Sequence, residues 1–324
     1  VVTIPGLTAD DSVQIIGTSA ADTFAVSASG LKVNSVTISL PAGPSRILAG
    51  QAGNDAYQFD ADTVLGNWII EDTAGIDCLD FYQTTTTGVS INLASDVAQT
   101  VSPRLNLQLR SAMAMENVIG TPLRDVISGN SLANKLEGRD GNDQLTGLTG
   151  SDRLIGGNGD DSYGMTTATT AETDTLFEAV DGGRDTVTFA AVTVNVTLDL
   201  SLTTTQALYA YIRLILNSAT DFEAVVGGSG NDRLKGNDEA NSLSGGLGND
   251  VLEGAGGNDQ LIGGSGDDNY IFRTAATAEA DRVTESASSG IDTLDFSSIT
   301  TTVYLNLGAI AIQEVHSNRT LFIS

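Results

Sequence analysis

Residues 227–271 read GGSGNDRLK GNDEANSLS GGLGNDVLE GAGGNDQLI GGSGDDNYI, five nine-residue frames without a gap. A second run in the same phase occupies 120–164 as GTPLRDVIS GNSLANKLE GRDGNDQLT GLTGSDRLI GGNGDDSYG. Position eight is always apolar or aromatic: Ile127, Leu136, Leu145, Leu154 and Tyr163, then Leu234, Leu243, Leu252, Leu261 and Tyr270. Glycine supplies the φ > 0 that a tight turn needs, and a three-residue strand with one inward side chain follows. A single frame buries almost nothing, so the pattern demands stacking, in which the position-eight residues form a continuous apolar ladder.

Stacking also piles up acid. Position six is Asp125, Asn134, Asp143, Asp152 and Asp161 in one run and Asp232, Asn241, Asp250, Asp259 and Asp268 in the other. Strands in adjacent layers lie about 4.8 Å apart, so uncompensated carboxylates would drive the turns apart. A hard cation resolves the conflict, and Ca2+ takes six to eight oxygen ligands, backbone carbonyls of the turns included. Candidate ligands at turn positions one, three and five are Gly138, Asp140 and Asn142, and Gly156, Asn158 and Asp160. In the second run they are Gly227, Ser229 and Asn231, Gly245, Leu247 and Asn249, and Gly263, Ser265 and Asp267.

These frames resemble the repeats-in-toxin family, whose G-G-x-G-x-D-x-U-x nonapeptide is a calcium-binding β-helix repeat. The resemblance implies a parallel β-roll with two frames per coil and Ca2+ between frames i and i+2. One face then pairs Asp125 with Asp143 and Asp143 with Asp161, and the other pairs Asn134 with Asp152. The second run repeats this with Asp232, Asp250 and Asp268 and with Asn241 and Asp259. Weak or empty sites are expected where asparagine stands at position six, or where position four is Leu123, Leu132 or Glu239 rather than glycine. The resemblance further implies one-step export from a Gram-negative cell, the chain staying unfolded until it meets external calcium.

The frames sit inside a longer unit of about 107 residues. Tyr57, Tyr163 and Tyr270 end three blocks, and each is followed by the same spacer: GIDCLDF at 75–81, GRDTVTF at 183–189, GIDTLDF at 290–296. Apolar alternation in GVSINLA, VTVNVTLDL and TTVYLNLG marks half-buried strands. The first block is reduced to GTSAADTFA at Gly17 and GQAGNDAYQ at Gly50, with SGLKVNSVTISLPAGP between them reading as a hairpin or a lengthened loop ended by Pro41 and Pro44. No calcium site is assigned there. The expected fold is all-β, a calcium-stabilised parallel β-roll or β-solenoid with nonapeptide blocks separated by wider solenoid coils. Its parts are a degenerate N-terminal block with an insertion (1–59), spacer coils (60–119), a calcium block (120–164), spacer coils (165–226), a second calcium block (227–272) and truncated spacer coils (273–324). Each spacer also carries an acidic set, Asn67, Glu71 and Asp77; Asp174, Glu178 and Asp185; Asp281, Glu285 and Asp292. These read either as an additional cation site or as solvated turn residues.

Composition limits the function. The 324 residues hold 41 Asp+Glu against 15 Lys+Arg, a formal charge of −26, which repels nucleic acid and anionic lipid. With 40% hydrophobic residues the chain still has a core to bury. No stretch reaches the ~18 apolar residues of a membrane helix, and the start VVTIPGLTADD lacks the basic and apolar regions of a secretory signal. His316 is the only histidine and Cys78 the only cysteine, so a histidine-dependent triad and a thiolate zinc cluster are out of reach. Cys78 stands where the sister copies have Thr186 and Thr293, a neutral replacement. Trp68 and the tyrosines read as core rather than as a sugar platform. Paired carboxylates recur at every turn, whereas a glycosidase needs one unique pair, so the chain is not expected to be an enzyme.

The favoured function is an extracellular calcium-binding structural or surface protein, part of an adhesin or a filament, because a secretion module needs only one block. The alternatives are a calcium-dependent secretion and folding module of a larger secreted enzyme, and a glycan-binding module. The expected partners are calcium ions, further copies of the chain and cell-surface glycans, without nucleic acid or membrane insertion. Both chain ends fall at nearly the same phase of the long unit, so LFIS of one copy is expected to stack on VVTIPGL of the next, a non-closing contact that generates a filament.

Overall fold

A turn rich in glycine followed by one inward apolar residue can only be satisfied by stacking, and a computed structural model of the chain shows that stacking in both runs. The structure describes residues 2–3, 12–39, 45–180, 182–274, 279–285, 290–299, 313–316 and 319–323. Among them every helix or strand is a β-strand. The chain forms two compact units, Val1–Asp161 and Ser162–Ser324.

In the first unit the strand Val126–Ser128 pairs in parallel with Gln144–Thr146, Ile127 lying opposite Leu145. Lys135–Asp140 pairs with Arg153–Asn158 in the same way, Leu136 opposite Leu154. Partners are two frames apart, so one coil holds two nonapeptides and alternate frames build opposite faces. The second unit repeats the register, with Leu234 opposite Leu252, Leu252 opposite Tyr270, and Leu243 opposite Leu261.

Coils widen outside the blocks. Leu79 pairs with Val118 and Ile91 with Ile127 in the first unit; Val187 pairs with Val225 and Leu198 with Leu234 in the second. The two units are therefore parallel β-rolls with wider solenoid coils. Their cores are ladders: Ile127, Leu136, Leu145, Leu234, Leu243, Leu252, Tyr163 and Tyr270 are wholly buried, each contributing on the order of 1.5–3 kcal/mol by leaving water. Trp68 is buried against Phe59, with the Arg46 guanidinium over its ring, so it is a core residue.

Parallel coiling is interrupted once per spacer. Gln99–Ser102 pairs antiparallel with Leu105–Leu109, Gln206–Ala207 with Ile212–Leu216, and Gln313–His316 with Arg319–Ile323. These hairpins recur at the long period but leave little trace in the sequence, because alternation looks the same in parallel and antiparallel strands. The insertion in the first block is a three-strand antiparallel meander of Thr23–Ser27, Gly30–Val33 and Val36–Ser39. Pro41, Pro44 and most of VVTIPGL fall outside the described residues.

The full turns place positions two and four in the left-handed region: Arg139 and Gly141, Leu148 and Gly150, Gly246 and Gly248, Gly264 and Gly266 all have φ between 71° and 130°. Position four also abuts the coil beneath it. A Cβ on Gly248 would overlap the carbonyl of Gly230, while one on Gly256 would meet nothing closer than Asp238 Oδ1 at 3.2 Å. Gly248→Ala is therefore expected to cost more than about 1 kcal/mol. Thermal melts in calcium should show a clear fall for it and little change for Gly256→Ala.

Candidate metal centre

Each position-six carboxylate points inward beneath its own turn, where the position-one glycine leaves room. A Cβ on Gly138, Gly245 or Gly263 would overlap the Oδ2 of Asp143, Asp250 or Asp268. The aspartates are 1% exposed and linked along the stack. The amide of Asp125 donates to Asp143 Oδ1 and that of Asp143 to Asp161 Oδ1, both at 2.7 Å. Asp232 donates to Asp250 Oδ1 and Asp250 to Asp268 Oδ1, also at 2.7 Å. The other faces carry Asn134 to Asp152 at 2.8 Å and Asn241 to Asp259 at 2.9 Å. These are the pairs that a two-frame coil requires.

Those bonds use one oxygen of each carboxylate. The other, Oδ2, is buried and has no hydrogen-bond partner in Asp143, Asp250 and Asp268. An orphaned carboxylate oxygen is costly unless a cation meets it. Burial, reinforced by the neighbouring aspartates, pushes the Asp143 carboxyl up to about 8 and Asp250 to about 7. Both groups ionise at neutral pH only at a cost that a bound divalent ion would remove. An all-oxygen set of this kind fits Ca2+.

The degenerate frames satisfy their position-six side chains from the protein. Asp125 accepts from the Thr121 amide and hydroxyl and from the Val89 amide, and Thr18 treats Asp22 in the same way. Asn134 and Asn241 are locked by Asn130 and Asn237, the asparagines at position two. None of these frames has a left-handed residue at position two or four, so the frames lacking glycine at position four turn differently. The signal missed in the sequence is the residue at position two, threonine or asparagine, which replaces the ion.

The frame at Gly227 departs from expectation. Its sequence is complete, yet Gly228 and Gly230 are not left-handed, and Asp232 accepts from the Gly228 and Val196 amides. It stacks on a spacer strand, Thr197–Asp199, with no glycine turn beneath to complete a site. Gly227 is buried, and Ser229 and Asn231 are exposed.

Elsewhere the candidate turn residues divide by phase. Gly138, Gly156, Gly245 and Gly263 are buried under the turn, whereas the side chains of Asp140, Asn142, Asn158, Asp160, Leu247, Asn249, Ser265 and Asp267 are exposed. Several of the exposed ones bond to each other along the stack: Asn158 Nδ2 to Asp140 Oδ1 at 2.8 Å, and the Asp267 amide to Asn249 Oδ1 at 2.9 Å. Positions three and five can reach an interior ion only through backbone carbonyls.

The spacer sets are reassigned in part. Asn67 bonds to Asn106, and Glu71 to Gln14 and Arg110, on exposed faces. Their neighbour Asp72 turns inward and accepts from the Tyr57 hydroxyl, as Glu178 accepts from Tyr163 and Glu285 from Tyr270. All three acceptors lie fifteen residues after their tyrosine, the spacing that selects Asp72 over Glu71; a register irregularity between Ala49 and Gln51 lies opposite. Asp281 joins a ladder, accepting from the Asp259 amide at 3.2 Å. Cys78 is half-buried, its thiol pushed up to about 12 by burial, which suits an inert replacement for threonine.

The family model for the RTX calcium-binding nonapeptide repeat (four copies) matches residues 120–163, 226–261 and 236–270. No curated protein matches the chain.

Proposed function

We propose that this chain, whose two nonapeptide runs match the RTX calcium-binding repeat, is an extracellular structural module of a surface protein whose rigidity is set by calcium. The family's repeats bind Ca2+, and its members are generally secreted. The observation that carries the reading is the buried carboxylate oxygen left without a partner in the full frames, at Asp143, Asp250 and Asp268. Without an ion these oxygens oppose folding; with one they join adjacent coils, so binding free energy becomes folding free energy. The long repeat supports a structural role, since it multiplies calcium blocks where a secretion signal would need one.

We also propose that the chain has no catalytic role. The position-six carboxylates recur in register from coil to coil, and buried Glu253, which stands outside that series, is neutralised by Arg273. The glycan reading has less to stand on, because Trp68, Tyr57, Tyr163 and Tyr270 are all buried; Tyr82 and Tyr211, expected in the core, are instead exposed, and Tyr82 is covered by the Arg139 guanidinium.

Cells producing the chain provide the test. A protease that cannot enter cells, added in millimolar calcium, should leave the chain intact outside the cell, and adding chelator should expose it to cleavage. Retention inside the cell, or cleavage indifferent to calcium, would overturn the proposal.

A further inference from the structure

At the ends of nonapeptide ladders, two groups of three carboxylates converge, one inside each unit, each including a position-six aspartate. They are Asp55, Asp72 and Asp77, and Asp268, Glu285 and Asp292, with one oxygen from each residue within 4.8 Å of the others. The first set is wholly interior: Asp55, Asp72 and Asp77 are 1%, 6% and 2% exposed. The second is buried at Asp268 and opens outward through Glu285 to Asp292.

Three observations point to a ligand. Asp55 Oδ2 and Asp268 Oδ2 are buried and have no hydrogen-bond partner. Both face a glycine that leaves space: a Cβ on Gly50 would overlap Asp55 Oδ2, Asp72 Oδ2 and the Tyr57 hydroxyl, and one on Gly263 would meet Asp268 Oδ2, Glu285 Oε1 and the Tyr270 hydroxyl. The same arrangement, tyrosine included, occurs in each unit, although the frame at Gly50 belongs to the degenerate block.

Three carboxylates this close must share protons or share a cation. Calcium–oxygen bonds run about 2.3–2.6 Å, so oxygens around one ion stand no more than about 5.2 Å apart, and the three in each set lie within 4.8 Å of one another. The donors are all oxygen, which suits a hard divalent ion and not zinc or copper. We infer that each set is a cation site at the end of its ladder, additional to those between two frames and built on the last frame's own aspartate, Asp55 or Asp268, taking Ca2+ where a block passes into wider coils. In the first unit the ion joins a frame aspartate, Asp55, to Asp77 on the next coil and to Asp72 on the strand Gly66–Ala74. In the second it joins Asp268 to Asp292 and to Glu285, just past the strand Glu279–Thr284. It thereby fastens the change of coil width that the short repeats cannot fasten.

Terbium, a luminescent probe of calcium sites, tests this on the full chain. Asp72→Asn and Glu285→Gln should each lower the number of bound terbium ions by one per chain. Tyr57→Phe and Tyr270→Phe should keep the count but reduce tyrosine-excited terbium emission, because each phenol adjoins its ion. An unchanged count in both carboxylate variants with native circular dichroism would overturn the inference and leave the carboxyls sharing protons. Should those variants fail to fold, unchanged emission in both tyrosine variants would overturn it equally. A chain that loses ions on Asp250→Ala yet ignores Asp72→Asn and Glu285→Gln refutes only this inference; a chain that binds no ion refutes the proposed function with it.

Discussion

Asp250→Ala is expected to shrink the calcium-induced rise in melting temperature, while Asn241→Ala leaves that rise intact. Asp250 stands in the middle of a ladder. Its Oδ1 takes the Asp232 amide, its own amide serves Asp268, and its Oδ2 is unpartnered. Alanine removes an anionic ligand shared by the frames above and below. If calcium is present at about 100 times the dissociation constant, one site contributes about 2.7 kcal/mol, and the variant forfeits at least that. Asn241 is neutral and already engaged with Asn237. Its loss costs a hydrogen bond, about 1 kcal/mol, equally with and without calcium. Melts of both variants in calcium and in chelator check this; equal losses of the calcium increment would refute the pairing of frames.

Acid should substitute for calcium. Asp143, Asp250, Asp77 and Asp161 have carboxyls raised to about 8, 7, 7 and 6, burial being the first cause in each. The folded chain therefore holds protons that the unfolded chain releases above about pH 4. Stability from these groups is complete below that point and is lost as pH rises through 6 to 8. The calcium-free chain should melt higher at pH 5 than at pH 8. Even about 2 kcal/mol from the whole set would move the midpoint by roughly 4 °C or more. Calcium should add more at pH 8 than at pH 5, since it displaces the protons. Asp143→Asn with Asp250→Asn should flatten the calcium-free profile. A midpoint that climbs with pH in chelator would contradict the account.

Much of this was legible because the nonapeptide is a physical unit. Position eight, always apolar, is the buried rung, and position six, nearly always acidic, is the inward carboxylate. Two frames per coil then fixed which aspartates face each other, as in Asp143 and Asp161. Asp72 was legible too: it stands fifteen residues after Tyr57, as Glu178 does after Tyr163 and Glu285 after Tyr270, whereas Glu71 matches them only in residue type. Two things lay beyond the pattern. The spacer hairpins, such as Gln99–Ser102 with Leu105–Leu109, hide within an alternation common to both pairing directions. At Gly227 a complete motif takes another turn above a spacer strand, whereas the frames at Gly147 and Gly254, which rest on the degenerate frames of Leu132 and Glu239, keep the left-handed turn; the motif alone does not separate the two outcomes.

The central claim is that calcium, by meeting buried carboxylates, makes this acidic chain fold. Far-ultraviolet circular dichroism of the purified full chain at pH 7.5, first in excess chelator and then in millimolar calcium, tests it directly. The account predicts a weak β spectrum with a low melting temperature in chelator and a stronger β spectrum with a higher, cooperative melt after calcium is added, reversed by more chelator. The same β spectrum and the same melting temperature in both conditions would contradict it.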